Sequence, residues 1–185
     1  MSLSKTINTP VGTLNYTFIS GNGRDNLSGV AQYSTQLVLT ADDAEPLLAE
    51  IDALWAESAI KKQPKSMGYK TLDDGNIAFN FKTNVEGKFG NTKVKVYDGK
   101  GKEADFSEIM VGNGTIGRVG ASMAIYDQPS AAGVTLYLNK IQIISLVEYT
   151  GGNGEEFGEV AGAYEHQTAF EAPTEQPTQP AVRKF

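Results

Sequence analysis

The chain has 185 residues, 40% of them hydrophobic, with no cysteine, one histidine and a formal net charge of −6. That length and apolar content suit one domain with its own core, and the lack of cysteine excludes disulfide frameworks and cysteine-based zinc sites. The acidic balance argues at first sight against a phosphate-rich partner, whose binding draws on lysine and arginine.

In chain order, Met1 to Thr6 lacks a signal peptide's apolar core, and no later run reaches the roughly 20 apolar residues of a membrane helix. A soluble, cytosolic protein is expected. Leu14, Tyr16 and Phe18 alternate with Asn15, Thr17 and Ile19, a period of two that predicts a strand over 14–19. Gly21 to Gly29 breaks it, and Tyr33 to Thr40 is a second β-rich run. Thr40 or Asp42 then caps a helix whose apolar stripe is Leu47, Leu48, Ile51, Leu54 and Trp55. Lys61 and Lys62 are expected near its C-terminal end, where the dipole favours cations, and Pro64 closes it.

Beyond the turn signal Asp73-Asp74-Gly75, Ile77, Phe79 and Phe81 mark a strand, and Val94 and Val96 alternate with Lys93, Lys95 and Tyr97 in another. Thr115 to Tyr126 reads as a long strand with a bulge or bend at Gly117 and Gly120. Gly133 to Tyr149 is the strongest β segment. From Gly151 the chain turns rich in Gly, Glu, Pro, Gln and Thr, with too little apolar surface to offset the entropy of ordering, so a disordered tail is expected over 151–185. Four to six strands and one helix give a mainly β body, a small antiparallel barrel with a helix across one end, over 1–150.

Charge is segregated along this plan. Between Lys61 and Lys102 lysines far outnumber Asp73, Asp74, Glu86 and Asp98, whereas the tail carries Glu155, Glu156, Glu159, Glu165, Glu171 and Glu175 against Arg183 and Lys184. Catalysis has little to work with: His166 falls in the tail, and the usual pairs of nucleophile and base are missing. Asp42/Asp43 and Asp73/Asp74 sit where helix starts and turns favour aspartate. Gly21-Asn-Gly23 and Gly112-Asn-Gly114 lack the context of a phosphate loop. The chain therefore reads as a binding protein, with no enzymatic activity, cofactor or metal.

The basic middle is interleaved with aromatics, as a single-stranded nucleic acid requires, since its phosphates attract lysines and its exposed bases stack on flat rings. The candidate contacts are Lys61, Lys62, Lys65, Lys70, Lys82, Lys88, Lys93 and Lys95, with Tyr69, Phe89 and Tyr97. Phe79 and Phe81 share one face and compete between core and stacking platform.

The order of Leu14-Asn-Tyr-Thr-Phe18, Tyr33 to Thr40, Val111-Gly-Asn-Gly-Thr-Ile116, Gly133 to Leu138 and Ile141 to Tyr149 resembles the tailed-phage single-stranded-DNA-binding proteins, over roughly Leu14 to Tyr149 and again at the terminal Phe185. The resemblance implies an OB-fold-like barrel that coats single strands in phage replication and recombination, in the cytoplasm of the infected host. It also implies an acidic tail ending in an aromatic, which recruits phage or host replication proteins and competes with DNA. Glu155, Glu156, Glu159 and Phe185 are its candidate partner-binding residues. Arg183 and Lys184 depart from that pattern, standing where the family type has acids. The alternatives are a phage structural or interaction protein whose lysines are merely solvated, and an RNA chaperone. A homodimer is left open.

Overall fold

The computed structural model describes residues 4–88 and 90–149. Their elements run β1 (Ser4–Asn8), β2 (Gly12–Phe18), β3 (Arg24–Asp25), β4 (Ala31–Leu39), α1 (Ala41–Glu57), β5 (Tyr69–Thr71), β6 (Ile77–Asn84), β7 (Glu86–Gly87), β8 (Gly90–Asn91), β9 (Lys95–Tyr97), β10 (Thr115–Gln128) and β11 (Ala131–Ser145). The proposed tail, with His166, Glu155, Glu156, Glu159 and Phe185, lies outside the described residues, as does Phe89.

Five strands close a ring in the order β2–β4–β6–β11–β10 and back to β2. Four of the five pairings are antiparallel; β6 and β11 close the barrel as a short parallel pair, Phe81 beside Leu136 and Lys82 beside Tyr137. This is the mainly β, OB-like barrel the sequence predicts. The two longest strands pair with each other along most of their length, and each serves two further neighbours. β10 pairs with β2 at its start and with β1 further along, and β11 pairs first with β6 and then with β9. They turn between neighbours at register shifts beside Gly117 and Gly120, the positions where the sequence suggests a bend. At Gly117 a Cβ would collide with the Gln142 carbonyl oxygen across the ladder, so the bend is closed to larger residues.

The alternating pattern sets which side of each strand faces in. Leu37 and Leu39 of β4, Phe79 and Phe81 of β6, Met123 of β10, and Leu136, Leu138 and Ile141 of β11 fill the barrel. Leu47, Ile51 and Leu54 of α1 join the same core. Thr17 and Thr35 place hydroxyls inside and satisfy each other at 2.8 Å.

Helix α1 starts as expected. The Thr40 hydroxyl accepts from the Asp43 N–H at 3.2 Å and donates to the Asp43 carboxylate at 2.8 Å. Its end differs from the expectation. The helix stops at Glu57 rather than near Pro64, because the Ser58 hydroxyl caps the Trp55 carbonyl at 2.6 Å and Ala59 takes a left-handed backbone (φ 54°). Lys61 and Lys62 thus lie past the helix in the connection to β5, and no basic residue occupies the last helical turn.

Candidate nucleic-acid interface

In OB barrels the outer face of the second and third barrel strands, with the loops flanking it, is where oligonucleotides bind. Here those strands are β4 and β6. Because Leu37, Phe79 and Phe81 face inward, their neighbours face out and meet in rungs: Gln32 beside Asn84, Ser34 beside Lys82, Gln36 beside Asn80. The outer two rungs are clamped by side-chain amides, Gln32 Nε2 donating to Asn84 Oδ1 at 2.7 Å and Gln36 Nε2 to Asn80 Oδ1 at 3.1 Å. Lys82 is left as the charge at the centre of a neutral, hydrogen-bonding sheet.

Closure by β11 brings Tyr137 directly beside Lys82. The two border an open groove of about 420 Å³ whose other walls include Tyr69, Asn80, Tyr126 and Thr135. Tyr137 is 44% exposed. Tyr69 is half-buried, its ring 5.8 Å from that of Phe79. Burial, then the negative charge of Asp52, pushes its hydroxyl above the ordinary tyrosine value, so it stays a neutral donor.

Two further grooves carry cations. Lys93 and Lys95 line one of about 550 Å³ together with Tyr33, Phe106 and the acids Glu103 and Asp105, the Tyr33 hydroxyl being fixed by donation to the Gly21 carbonyl at 2.9 Å. Tyr97 lines a smaller pocket of about 260 Å³ with Arg118 and Lys140. β9 lies along β11 with Lys95 beside Lys140, three residues or about 10 Å along β11 from Tyr137. Arg118 is aimed by its Nε donation to Gln142 at 2.7 Å, and Gln142 is itself held by the Asp98 carbonyl at 2.9 Å.

The predicted site residues among the described ones are therefore spread over these surfaces, the connection between α1 and β6, and the turn between β7 and β8. Lys82 and Tyr69 share one groove, Lys93 and Lys95 the second, and Tyr97 lies in the third. All the predicted lysines are exposed. They are not equivalent, because Lys62 Nζ is tied to Asp127 at 2.7 Å and the Gln128 carbonyl at 3.0 Å, while Lys95 lies 4.0 Å from Glu103. Lys61, Lys65 and Lys70 belong to the α1–β6 connection, and Lys88 to the turn between β7 and β8. Phe79 and Phe81 are core, 0% and 1% exposed. Sequence reasoning missed Tyr126, Tyr137, Arg118 and Lys140. Tyr137 carried a signal, since it alternates with Leu136 and Leu138 and so must face out; the two cations lay outside the basic stretch that drew attention.

Among the described residues, no group of three or more His, Asp or Glu could hold a metal, and no helix is long and apolar enough to cross a membrane.

No protein-family model and no curated protein matches the chain. Solved structures do. The single-stranded DNA binding protein gp2.5 encoded by bacteriophage T7 superposes with a TM-score of 0.64 at 21% identity, covering 86% of this chain and 100% of its own. The single-stranded DNA-binding protein of bacteriophage Enc34, in complex with single-stranded DNA, gives a TM-score of 0.62 at 14% identity over 79% of this chain and 89% of its own. Its C-terminally truncated form gives 0.61 at 13%, over 76% and 85%. The fold of this chain is thus the barrel shared by these phage single-stranded-DNA-binding proteins.

Proposed function

We propose that this protein binds single-stranded DNA without reading its sequence. The observation that carries the reading is the Lys82–Tyr137 pair on the outer face of the barrel, a cation beside an exposed ring in an open groove. Phosphate attraction and base stacking are the two interactions a sequence-tolerant binder needs. The neutral amide rungs around Lys82 offer hydrogen bonds without selecting a base. Lys93, Lys95, Lys140 and Arg118 extend the positive surface along β9, β10 and β11, with Tyr69 and Tyr97 beside it. Support comes also from the shared fold, since gp2.5 is described as a single-stranded DNA binding protein and the Enc34 protein as a complex with single-stranded DNA. Lys61, Lys62, Lys65, Lys70 and Lys88 act as peripheral charge in this scheme.

The wider role follows as part of the proposal. A protein that binds only the open strand pulls the duplex equilibrium toward it by mass action, which suits phage replication and recombination, and no catalytic step is involved. Residues 1–150 form the DNA-binding domain. The acidic segment 151–185 recruits replication proteins through Glu155, Glu156, Glu159 and Phe185 and competes for the basic surface.

The test is quenching of intrinsic fluorescence by a long oligothymidylate at low and moderate salt, beside a duplex and a matched RNA of equal length. Saturable quenching by the single-stranded DNA, weakened by salt and small with duplex, is expected. No binding by the full chain or by a form ending at Gly154 would overturn the reading. Equal or tighter RNA binding would redirect it to RNA.

A further inference from the structure

β10 pairs with β2 only over Gly12–Leu14. From Tyr16 onward β2 faces the 109–113 and 147–149 segments across a cleft of about 620 Å³, with Phe18, Met110, Val147 and Tyr149 among its walls. The far wall is fastened by backbone bonds, the Gly112 N–H to the Val147 carbonyl at 2.7 Å and the Tyr149 N–H to the Met110 carbonyl at 2.9 Å. It is a built wall, yet Met110 and Tyr149 on it remain 54% and 52% exposed.

Tyr16 is the anomaly of this cleft. Its φ of 49° puts a bulky side chain in the left-handed region, which L-residues with a ring rarely occupy. It sits at the register shift between β2 and β4. Asparagines on both sides hold it there: Asn113 Oδ1 accepts from the Tyr16 N–H at 2.7 Å, and Asn15 Oδ1 accepts from the Gly114 N–H at 3.1 Å. The strain is not offset by burial, because Tyr16 is 60% exposed. Backbone strain that displays an aromatic to solvent points to a contact made outside the chain.

The surroundings indicate what that contact is. Ile19 and Ser20 are shared between this cleft and the Lys93–Lys95 groove, so the two are adjacent. The Arg24 guanidinium lies 5.1 Å over the Phe18 ring at the cleft's margin. Glu148 is the acid on the lining and is exposed. Rings and a methionine inside, with Arg24 at the margin and Lys93 in the adjoining groove beyond Glu103 and Asp105, match an unpaired nucleobase whose backbone runs over a cation.

We propose, on the basis of the single-stranded-DNA reading above, that the Tyr16 cleft is a nucleobase site in which Tyr16 stacks a base of a strand held by Lys93. Tyr16→Asn tests it, because asparagine tolerates the left-handed backbone but has no ring. That variant should keep or raise Tm and weaken oligothymidylate binding about tenfold, the loss of one stacked base; Tyr16→Phe should bind within about twofold of wild type. Photocrosslinking of the wild-type chain to an oligonucleotide carrying 5-iododeoxyuridine should yield a peptide containing Tyr16 or Tyr149, a readout that does not depend on how the variants fold. Wild-type affinity in Tyr16→Asn, or crosslinks confined to peptides outside the cleft, would overturn the nucleobase site. If Lys82→Ala still weakened binding, the single-stranded-DNA reading would survive that result. No binding by wild type would remove both.

Discussion

Lys82 and Tyr137 are neighbours, yet removing each should leave a different signature. Among the described residues Lys82 makes no ion pair, in contrast to Lys62 with Asp127 and Lys95 with Glu103. Its charge is therefore free to displace a counterion from a phosphate. One phosphate contact on a single strand contributes about 0.7 to the slope of log affinity against log salt. Lys82→Ala should flatten the slope by about that amount, so the gap between wild type and variant narrows roughly 2.5-fold between 50 and 200 mM salt. Tyr137 contributes an exposed ring on which a base can stack, worth about 1–3 kcal/mol. Tyr137→Ala should weaken binding by about 5- to 150-fold at every salt concentration, with the slope unchanged. Lys62→Ala is the internal control, since Asp127 already neutralises that lysine, and it should alter the slope by less than half as much as Lys82→Ala. The assay is fluorescence anisotropy with labelled oligothymidylate at four salt concentrations. An unchanged slope in Lys82→Ala, or a larger change in Lys62→Ala, would refute the assignment of Lys82 as a phosphate contact.

Other predictions concern the frame that holds the face. Phe79 is fully buried against Tyr69, so Phe79→Ala should cost about 3–5 kcal/mol in urea unfolding; a loss below about 1 kcal/mol would mean the barrel refills the cavity. At Gly133 a Cβ would collide with the Ser66 carbonyl oxygen and the Tyr126 hydroxyl, so Gly133→Ala should lower stability by about 1–3 kcal/mol and a wild-type melting curve would contradict that packing. The Tyr69 hydroxyl, raised above its ordinary 10.0, binds its proton more tightly folded than unfolded. Its contribution is thus fully present below pH 10 and fades as pH rises through the folded value. Tyr69→Phe should flatten the alkaline fall of Tm above pH 10, and parallel curves for the two proteins would show that Tyr69 is not responsible.

Much of the architecture follows from local pattern. The alternation in Leu14–Phe18 and Ile77–Phe81, the stripe of Leu47, Ile51 and Leu54, and the glycines at 117 and 120 each fix an element or a bend through side-chain periodicity and backbone sterics. These act over a few residues, so neighbours along the chain suffice to reveal them. The same pattern settles Phe79 and Phe81 only as two rings on one face, since periodicity says which residues share a side and not which side meets the core. The helix end was misplaced for a similarly local reason: Pro64 is a visible stop, whereas a serine hydroxyl on Trp55 and a left-handed alanine leave little trace in composition.

The candidate face itself is a product of closure. Lys82 and Tyr137 lie far apart in sequence and become neighbours only because β6 and β11 pair in parallel. Lys95 meets Lys140 by the same device one strand further on, and whether a lysine is free or, like Lys62, held by an acid depends on which strand passes beside it. By itself the sequence determined a mainly β body with one helix, a basic, aromatic middle and an acidic end, because those are sums and periods of neighbouring residues. Only the tertiary structure decided which rings face solvent, which cations are spare and why Tyr16 is held against its backbone preference, because each depends on contacts between segments distant in sequence.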